Sequence, residues 1–122
     1  MSVSFYVQCY VGEHGTSRYK NLFPEDDFNL NNRNASELLN ALGLEDEGMG
    51  MVGCWKINHF RSLLTVARRK RLNHSSPEIP VTVNGNWIDG GREEGYIEQR
   101  LLQLSDLVNR GLEAGATHVS WS

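Results

Sequence analysis

Residues 81–92, Val-Thr-Val-Asn-Gly-Asn-Trp-Ile-Asp-Gly-Gly-Arg, place two short apolar runs on either side of Asn84-Gly85. Asn-Gly between strand-like runs predicts a β-hairpin, because both residues accept the positive φ that a type I′ turn requires. The stretch ends in Gly90-Gly91-Arg92, just before a long amphipathic segment. We therefore expect a hairpin that leads through a glycine-rich corner into a helix. Gly90, Gly91 and Arg92 are called the glycine corner below.

Strand and helix patterns flank this hairpin. Residues 2–11 alternate polar and apolar side chains, which predicts a half-buried strand. Apolar residues at helical spacing predict a short helix capped at Asn34 and longer helices over about 56–71 and 92–113, followed by a strand over 117–121. This order predicts an α+β fold, with three helices packed on one face of a mostly antiparallel sheet of about four strands.

The segments between these elements are polar. Residues 12–34 have no sustained periodicity and predict a long loop, with a short strand over 28–31. Asn34 and Glu37 have the spacing of a capping box, and Gly43-Leu44 has the pattern of a Schellman ending. Residues 45–53 carry three acids and three glycines and predict a second loop.

Composition limits the class of protein. The 122 residues, 39% hydrophobic and 22% charged, fit one domain over 1–122 with its own core. Cys9 and Cys54 lie in no metal-binding or redox spacing, so we expect two reduced, partly buried thiols. The first residues do not form a signal peptide and no segment approaches a membrane span, which together favour the cytoplasm.

The glycine corner is the first candidate site. Backbone N–H groups at a helix N-terminus attract anions, and Arg92 would add a bidentate donor. We expect Gly90, Gly91, Arg92 and Trp87 to bind an anionic ligand together with polar loop residues, Asn31 and Asn32. The alternative is a plain hairpin-to-helix corner, because Glu93 and Glu94 follow at once and satisfy a helix dipole in the ordinary way.

The run Arg68-Arg69-Lys70-Arg71 is the second candidate. Residues 56–74 hold six Lys or Arg and no acid, whereas residues 12–47 hold eight acids and three bases. Basic runs mark nucleic-acid surfaces, but cations also favour helix C-termini, and the chain has a net charge of −3. We therefore expect no dedicated nucleic-acid binding, and assign Arg68 and Arg69 to a compact anion, with internal pairing to the acidic loop as the alternative.

Catalytic and metal patterns are weak. The four histidines show no His-x-x-x-His or His-x-Glu spacing, and no P-loop or Gly-x-Ser-x-Gly occurs, so we expect no cofactor, no metal and no catalysis. A catalytic pair of a cysteine with a histidine stays an open alternative. Tyr6, Tyr10 and Trp87 are expected to be half-buried sheet residues, or else stacking surfaces for a planar ligand.

Three segments resemble parts of small uncharacterised bacterial and phage proteins. They are Phe-Asn-Leu-Asn-Asn-Arg-Asn-Ala-Ser-Glu-Leu-Leu-Asn-Ala-Leu-Gly-Leu at 28–44, Gly-Arg-Glu-Glu-Gly-Tyr-Ile-Glu-Gln-Arg-Leu at 91–101, and the terminal Val-Ser-Trp. The similarity covers about a third of the chain. It implies a prokaryotic or phage origin and no activity.

These patterns favour a non-enzymatic small binding protein that recognises or sequesters a small anionic or nucleotide-derived ligand. For a phage protein, that ligand would suit a host defence signal. The alternative is a protein-interaction module or inhibitor that acts through acidic loops or a sheet edge, and a small enzyme ranks third. We also expect self-association, because a last strand over 117–121 is predicted at an uncovered sheet edge.

Overall fold

The computed structural model describes residues 2–13, 16–44, 53–72, 75–84, 87–89 and 91–122, with 11–13, 16–18, 82–84 and 87–89 described through their backbone alone. The strands are β1 (Ser2–Glu13), β2 (Thr16–Leu22), β3 (Phe28–Asn31), β4 (Gly53–Lys56), β5 (Thr82–Asn84), β6 (Trp87–Asp89) and β7 (His118–Trp121). The helices are α1 (Asn32–Ala41), α2 (Ile57–Lys70) and α3 (Tyr96–Glu113). The fold is α+β, as predicted.

The main sheet is antiparallel and is organised around β1. Its order is β2-β1-β7-β4, and β3 also pairs with β1, which makes five strands where about four were predicted. Phe5 and Val7 of β1 each have one partner in β7 and one on the opposite side, in β3 and β2 respectively. β2 and β3 therefore lie along the same side of β1, and residues 23–27 loop out between them.

All three helices lie on one face of this sheet. α3 packs against both α1 and α2, while α1 contacts β1 and β3, and α2 contacts β4 and β7. The alternation in β1 buries Val3, Phe5 and Val7 beneath the helices, and each buried side chain of this kind contributes about 1.5–3 kcal/mol. The largest fully buried side chains are Phe5, Phe60, Leu30, Leu38, Leu64, Ile97, Leu101, Leu104, Val7, Val108 and Val119.

α1 begins earlier than predicted. Its N-cap is Asn31, whose side chain accepts a 2.9 Å hydrogen bond from the backbone N–H of Asn34, so the capping box predicted at Asn34 is wrong. The predicted Schellman ending is confirmed: Gly43 has φ of 74°, and the N–H of Leu44 donates to the carbonyl of Leu39. Asn34 is instead a buried residue of α1, and its side chain accepts a hydrogen bond from Arg92.

α2 matches its predicted range closely, whereas α3 begins four residues later than predicted. Gly95, in the left-handed region with φ of 76°, immediately precedes Tyr96. A helix cannot run through such a residue. Arg92 therefore lies before the helix, on the connection that approaches it, and not in its first turn.

Two strands form that were not predicted, β2 inside the predicted loop over 12–34 and β4 between the predicted loop over 45–53 and the predicted helix that begins at about 56. Cys54 and Trp55 of β4 are exposed at the edge of the sheet. Cys54 is thus exposed, where a partly buried thiol was predicted, while Cys9 is half-buried. The strand over 28–31 is confirmed as β3.

The hairpin of β5 and β6 forms its own two-stranded sheet. Asn84, predicted in its turn, pairs with Trp87 as the last residue of β5, so residues 85 and 86 connect the strands. These two residues, and with them the predicted turn type, lie outside the described residues.

β7 is an interior strand. It pairs with β1 on one side and β4 on the other, and Trp121 stacks on Phe5 with ring centroids 5.9 Å apart. The prediction that it forms an uncovered edge is wrong. Self-association stays a prediction, but an uncovered edge at β7 no longer supports it. Within the described ranges, no helix combines the length and the apolarity needed to cross a membrane.

Candidate anion-binding site

The described part of the glycine corner packs against the chain segment that precedes the hairpin. Arg92 forms an isolated antiparallel bridge with Ile79, in which its N–H donates at 2.6 Å and its carbonyl accepts at 2.8 Å. Gly91 has φ of 63°, and a methyl group on its Cα would overlap the backbone of Ile79 and Pro80. Gly91 is thus required by a close backbone approach. Gly90 lies outside the described residues.

The side chain of Arg92 turns inward. Its Nη1 donates to the Oε2 of Glu37 at 2.6 Å and to the Oδ1 of Asn34 at 3.1 Å, and only 3% of the side chain is exposed. Arg92 therefore does not present its guanidinium to solvent, as the predicted binding of an anionic ligand at the glycine corner requires. Its guanidinium joins the glycine corner to α1 across the interior, and Glu37, predicted to cap its own helix, supplies the opposite charge.

The N-terminus of α3 already has acceptors. The carbonyl of Ser76 accepts from the N–H of Gly95 at 2.9 Å, and its Oγ accepts from the N–H of Ile97 at 3.2 Å. The Ser76 hydroxyl in turn donates to the Oε2 of Glu98 at 2.7 Å. Ser76 therefore caps α3 from a distant loop. The backbone N–H groups of Arg92, Gly95 and Ile97, at or near the predicted anion site, therefore already have acceptors within the protein.

Glu98 completes this capping network. Its Oε1 accepts from Nη1 of Arg71 at 2.9 Å. Burial acts to raise the pKa of Glu98, but hydrogen bonds from Ser76, from the backbone and from Arg71 outweigh it, so that the pKa is lowered from its ordinary 4.5. The carboxylate stays ionised and stabilises the positive end of the α3 dipole.

A cleft of about 380 Å³ opens between α2 and α3 beside this network. We call it the arginine cleft. Its basic side chains come from the last turns of α2, and its apolar floor comes from Leu101 and Leu102 of α3 together with Leu72. The cleft is lined by Thr65, Arg68, Arg69, Arg71, Leu72, Glu98, Leu101 and Leu102.

The cations of the arginine cleft differ in their partners. Arg71 is paired with Glu98. Arg68 makes only a long contact, 3.5 Å, from its Nη1 to the Oγ of Ser105, and among the described residues no carboxylate pairs with Arg68 or Arg69. Both side chains are exposed at the rim. The lining therefore carries two positive charges that the described protein does not neutralise.

The other predicted site residues lie elsewhere. Asn31 caps α1 and Asn32 is its first residue, so neither lines the arginine cleft. Trp87 belongs to β6, and its side chain lies outside the described residues. The structure thus brings together Arg68 and Arg69, and it places Gly91 and Arg92 in a separate bridge.

The α3 side of the cleft was missed at the level of sequence. Leu101 was predicted only as a core residue, and Leu102, which is 44% exposed, carried no prediction. The available signal was helical spacing: Leu101 belongs to the buried stripe of α3, and Leu102, the next residue, is rotated by about 100° and falls outside that stripe. An exposed leucine beside a basic helix end is an indication of a lined cleft.

Comparison with protein families, curated proteins and solved structures gives no significant match to this chain. The bacterial and phage resemblance therefore stays a prediction. Function has to be argued from the site itself.

Proposed function

We propose that the protein binds a compact anionic ligand, of the size and chemistry of a nucleotide, in the arginine cleft, and that it does so without catalysis. The observation that carries this proposal is the pair of exposed, carboxylate-free guanidinium groups of Arg68 and Arg69 above an apolar floor.

The chemistry of the cleft fits such a ligand. Guanidinium groups bind phosphate or carboxylate through two parallel N–H donors, which gives both affinity and orientation. Leu72 and Leu102, both exposed, offer an apolar surface to a ring or an alkyl portion of the same ligand. A volume of about 380 Å³ lies within the usual range of small-molecule sites.

Two features favour binding over reaction. The described lining of the cleft contains no histidine or cysteine, and its one carboxylate, Glu98, is engaged by Arg71 and Ser76. General acid or base catalysis needs a group whose proton is free to move at the reacting atoms. Glu98 is instead held ionised as part of the α3 cap.

Native mass spectrometry of the purified protein is the first experiment. It reports a retained ligand and the number of subunits together. Isothermal titration with AMP and with inorganic phosphate then tests the ligand class. We expect AMP to bind more tightly than phosphate, because only AMP also covers the leucine floor.

The site is tested with Arg68→Gln/Arg69→Gln. Loss of charge-assisted hydrogen bonds worth about 1.5–3 kcal/mol should weaken AMP binding at least tenfold. Arg61→Gln is the matched control, since Arg61 is exposed on the same helix and does not line the cleft. AMP affinity that is equal in the double variant and the wild type would remove the proposal.

A further inference from the structure

The face of the main sheet that is turned away from the helices has an unusual composition. The chain contains 15 Asp and Glu, yet every described side chain that points outward from β1, β2, β3, β4 and β7 is Ser, Tyr, Gln, Asn, Cys, Lys or His. We call this surface the open face. An ordinary solvated face of an acidic protein carries carboxylates, and their absence here removes repulsion against an anion.

An aromatic row crosses the open face. The rings of Tyr10 and Tyr19 meet edge to face with centroids 5.5 Å apart, and Tyr19 reaches across β1 to His118, 5.0 Å away. Tyr10 and Tyr19 are 46% and 47% exposed. Sheet residues of this size commonly cover a neighbour, whereas these rings remain available to solvent and to a planar ligand.

A second cleft lies at the end of this row. It has a volume of about 630 Å³ and lies at one end of the sheet, where residues of β4, α2, α3 and the segment that leads into β7 line it with no described Asp or Glu. His59 in this cleft stacks on Trp55 at 4.5 Å, so both imidazoles of the cleft are positioned by an aromatic neighbour. Its polar members are Lys56, Asn58, His59, Ser62, Thr117 and His118.

We propose that the open face binds single-stranded nucleic acid, with bases stacked on Tyr10 and Tyr19 and a backbone phosphate held between Lys56 and His118, which are paired across β4 and β7 on this face. Exposed rings on a sheet accept unpaired bases of any sequence, because every base has a π-face. Lysine and imidazole donors bind phosphate oxygens. The aromatic row and the pair of Lys56 and His118 together extend over four strands spaced about 4.8 Å apart, which is wider than one base.

This proposal is independent of the arginine cleft, since the two sites share no residue. It departs from the expectation of no dedicated nucleic-acid binding, which was based on the net charge and on the basic run over 68–71 and did not consider the sheet face. It also selects against a duplex. The bases of a duplex are already stacked on one another, and a broad sheet face does not enter a groove. A single strand can stack its bases on the tyrosines without breaking any base pairs.

The test is fluorescence anisotropy with a labelled ten-nucleotide oligouridylate, at low and physiological salt. We expect saturable binding in the range of about 1–100 µM that weakens with salt. Tyr10→Ala/Tyr19→Ala should lower the affinity at least tenfold, because stacking contributes about 1–3 kcal/mol per base. Tyr19→Phe should retain most of the affinity, since the ring is kept.

The controls separate this surface from the basic end of α2. Lys56→Gln should weaken binding and reduce the salt slope by about 0.7, whereas Lys70→Gln, which lies outside the face, should change neither. The proposal is overturned if the tyrosine double variant binds the oligonucleotide with unchanged affinity, or if the two lysine variants lose equal affinity. It is also overturned if a duplex of the same length binds as tightly as the single strand, or if equimolar UMP displaces the single strand. Thermal melting of each variant establishes that its fold is intact.

Discussion

The glycine corner and the arginine cleft are two regions that the sequence presents in the same way, as arginine beside a helix end. In the structure, the side chain of Arg92 is 3% exposed and bonded to Glu37 and Asn34. Arg68 and Arg69 of the cleft are exposed and have no described carboxylate partner. The difference lies in partners that are distant along the chain. A guanidinium group can bind a ligand only where no acceptor of the folded protein already occupies its N–H donors.

The largest expected effect comes from Gly91→Ala. A methyl group there would overlap the backbone of Ile79 and Pro80, and the residue has positive φ, so we expect a loss of about 3 kcal/mol or more in the free energy of unfolding. Urea denaturation measures it. Gly43→Ala is the matched control, because Gly43 also has positive φ but open space around it, and should cost about 1 kcal/mol. Equal losses in the two variants would contradict the close approach at the corner.

The next largest effect is expected for Arg92→Met. It removes the donor from buried Asn34 and from Glu37, and should cost about 2 kcal/mol. Glu37→Gln should cost about 1 kcal/mol or less, because the Glu37 side chain is 42% exposed. A double-mutant cycle measures the coupling between the two positions. Additive losses would show that the ion pair does not join the corner to α1.

A smaller effect concerns pH. The folded-state pKa of Glu98 is lowered, so its contribution to stability is fully present above the ordinary value of 4.5 and is lost as the pH falls through the folded-state pKa. Thermal melting between pH 7 and pH 2 should show less loss of stability in Glu98→Gln than in the wild type across the region below 4.5. Parallel curves would count against the capping network of Ser76, Arg71 and Glu98.

The smallest effect on stability is expected for Arg68→Gln/Arg69→Gln. Exposed side chains without a described partner should change the free energy of unfolding by about 0.5 kcal/mol or less. The same variant is expected to weaken AMP binding strongly, which makes the contrast with Arg92→Met sharp. A loss of stability as large as that of Arg92→Met would show that Arg68 and Arg69, like Arg92, are bonded within the folded protein.

Local patterns predicted the elements that depend on local physics. The alternation over 2–11 identifies β1, helical spacing identifies α2 and most of α3, and Gly43-Leu44 identifies the end of α1. β4 was missed, because a four-residue edge strand with three exposed side chains has no alternation to detect.

The candidate site was only partly predictable. Arg68 and Arg69 stand out as a charge run, but the pairing of Arg92 with Glu37 joins residues far apart in sequence, as does the capping of α3 by Ser76. The two partners of each interaction are too far apart in sequence to appear together in the short stretch that predicts a helix or a strand. The start of α3 was misplaced for a related reason, since a glycine inside an amphipathic pattern does not reveal its φ.

The interior position of β7 has a consequence for how the protein folds. β7, an interior strand of the sheet, pairs with β1 although the two are far apart in sequence, with Phe5 opposite Trp121, and such distant pairing slows folding. During synthesis, β1 emerges well before β7. Until the ribosome has released residues as far as Trp121, one side of β1 keeps its backbone N–H and C=O groups unpaired, a state prone to aggregation.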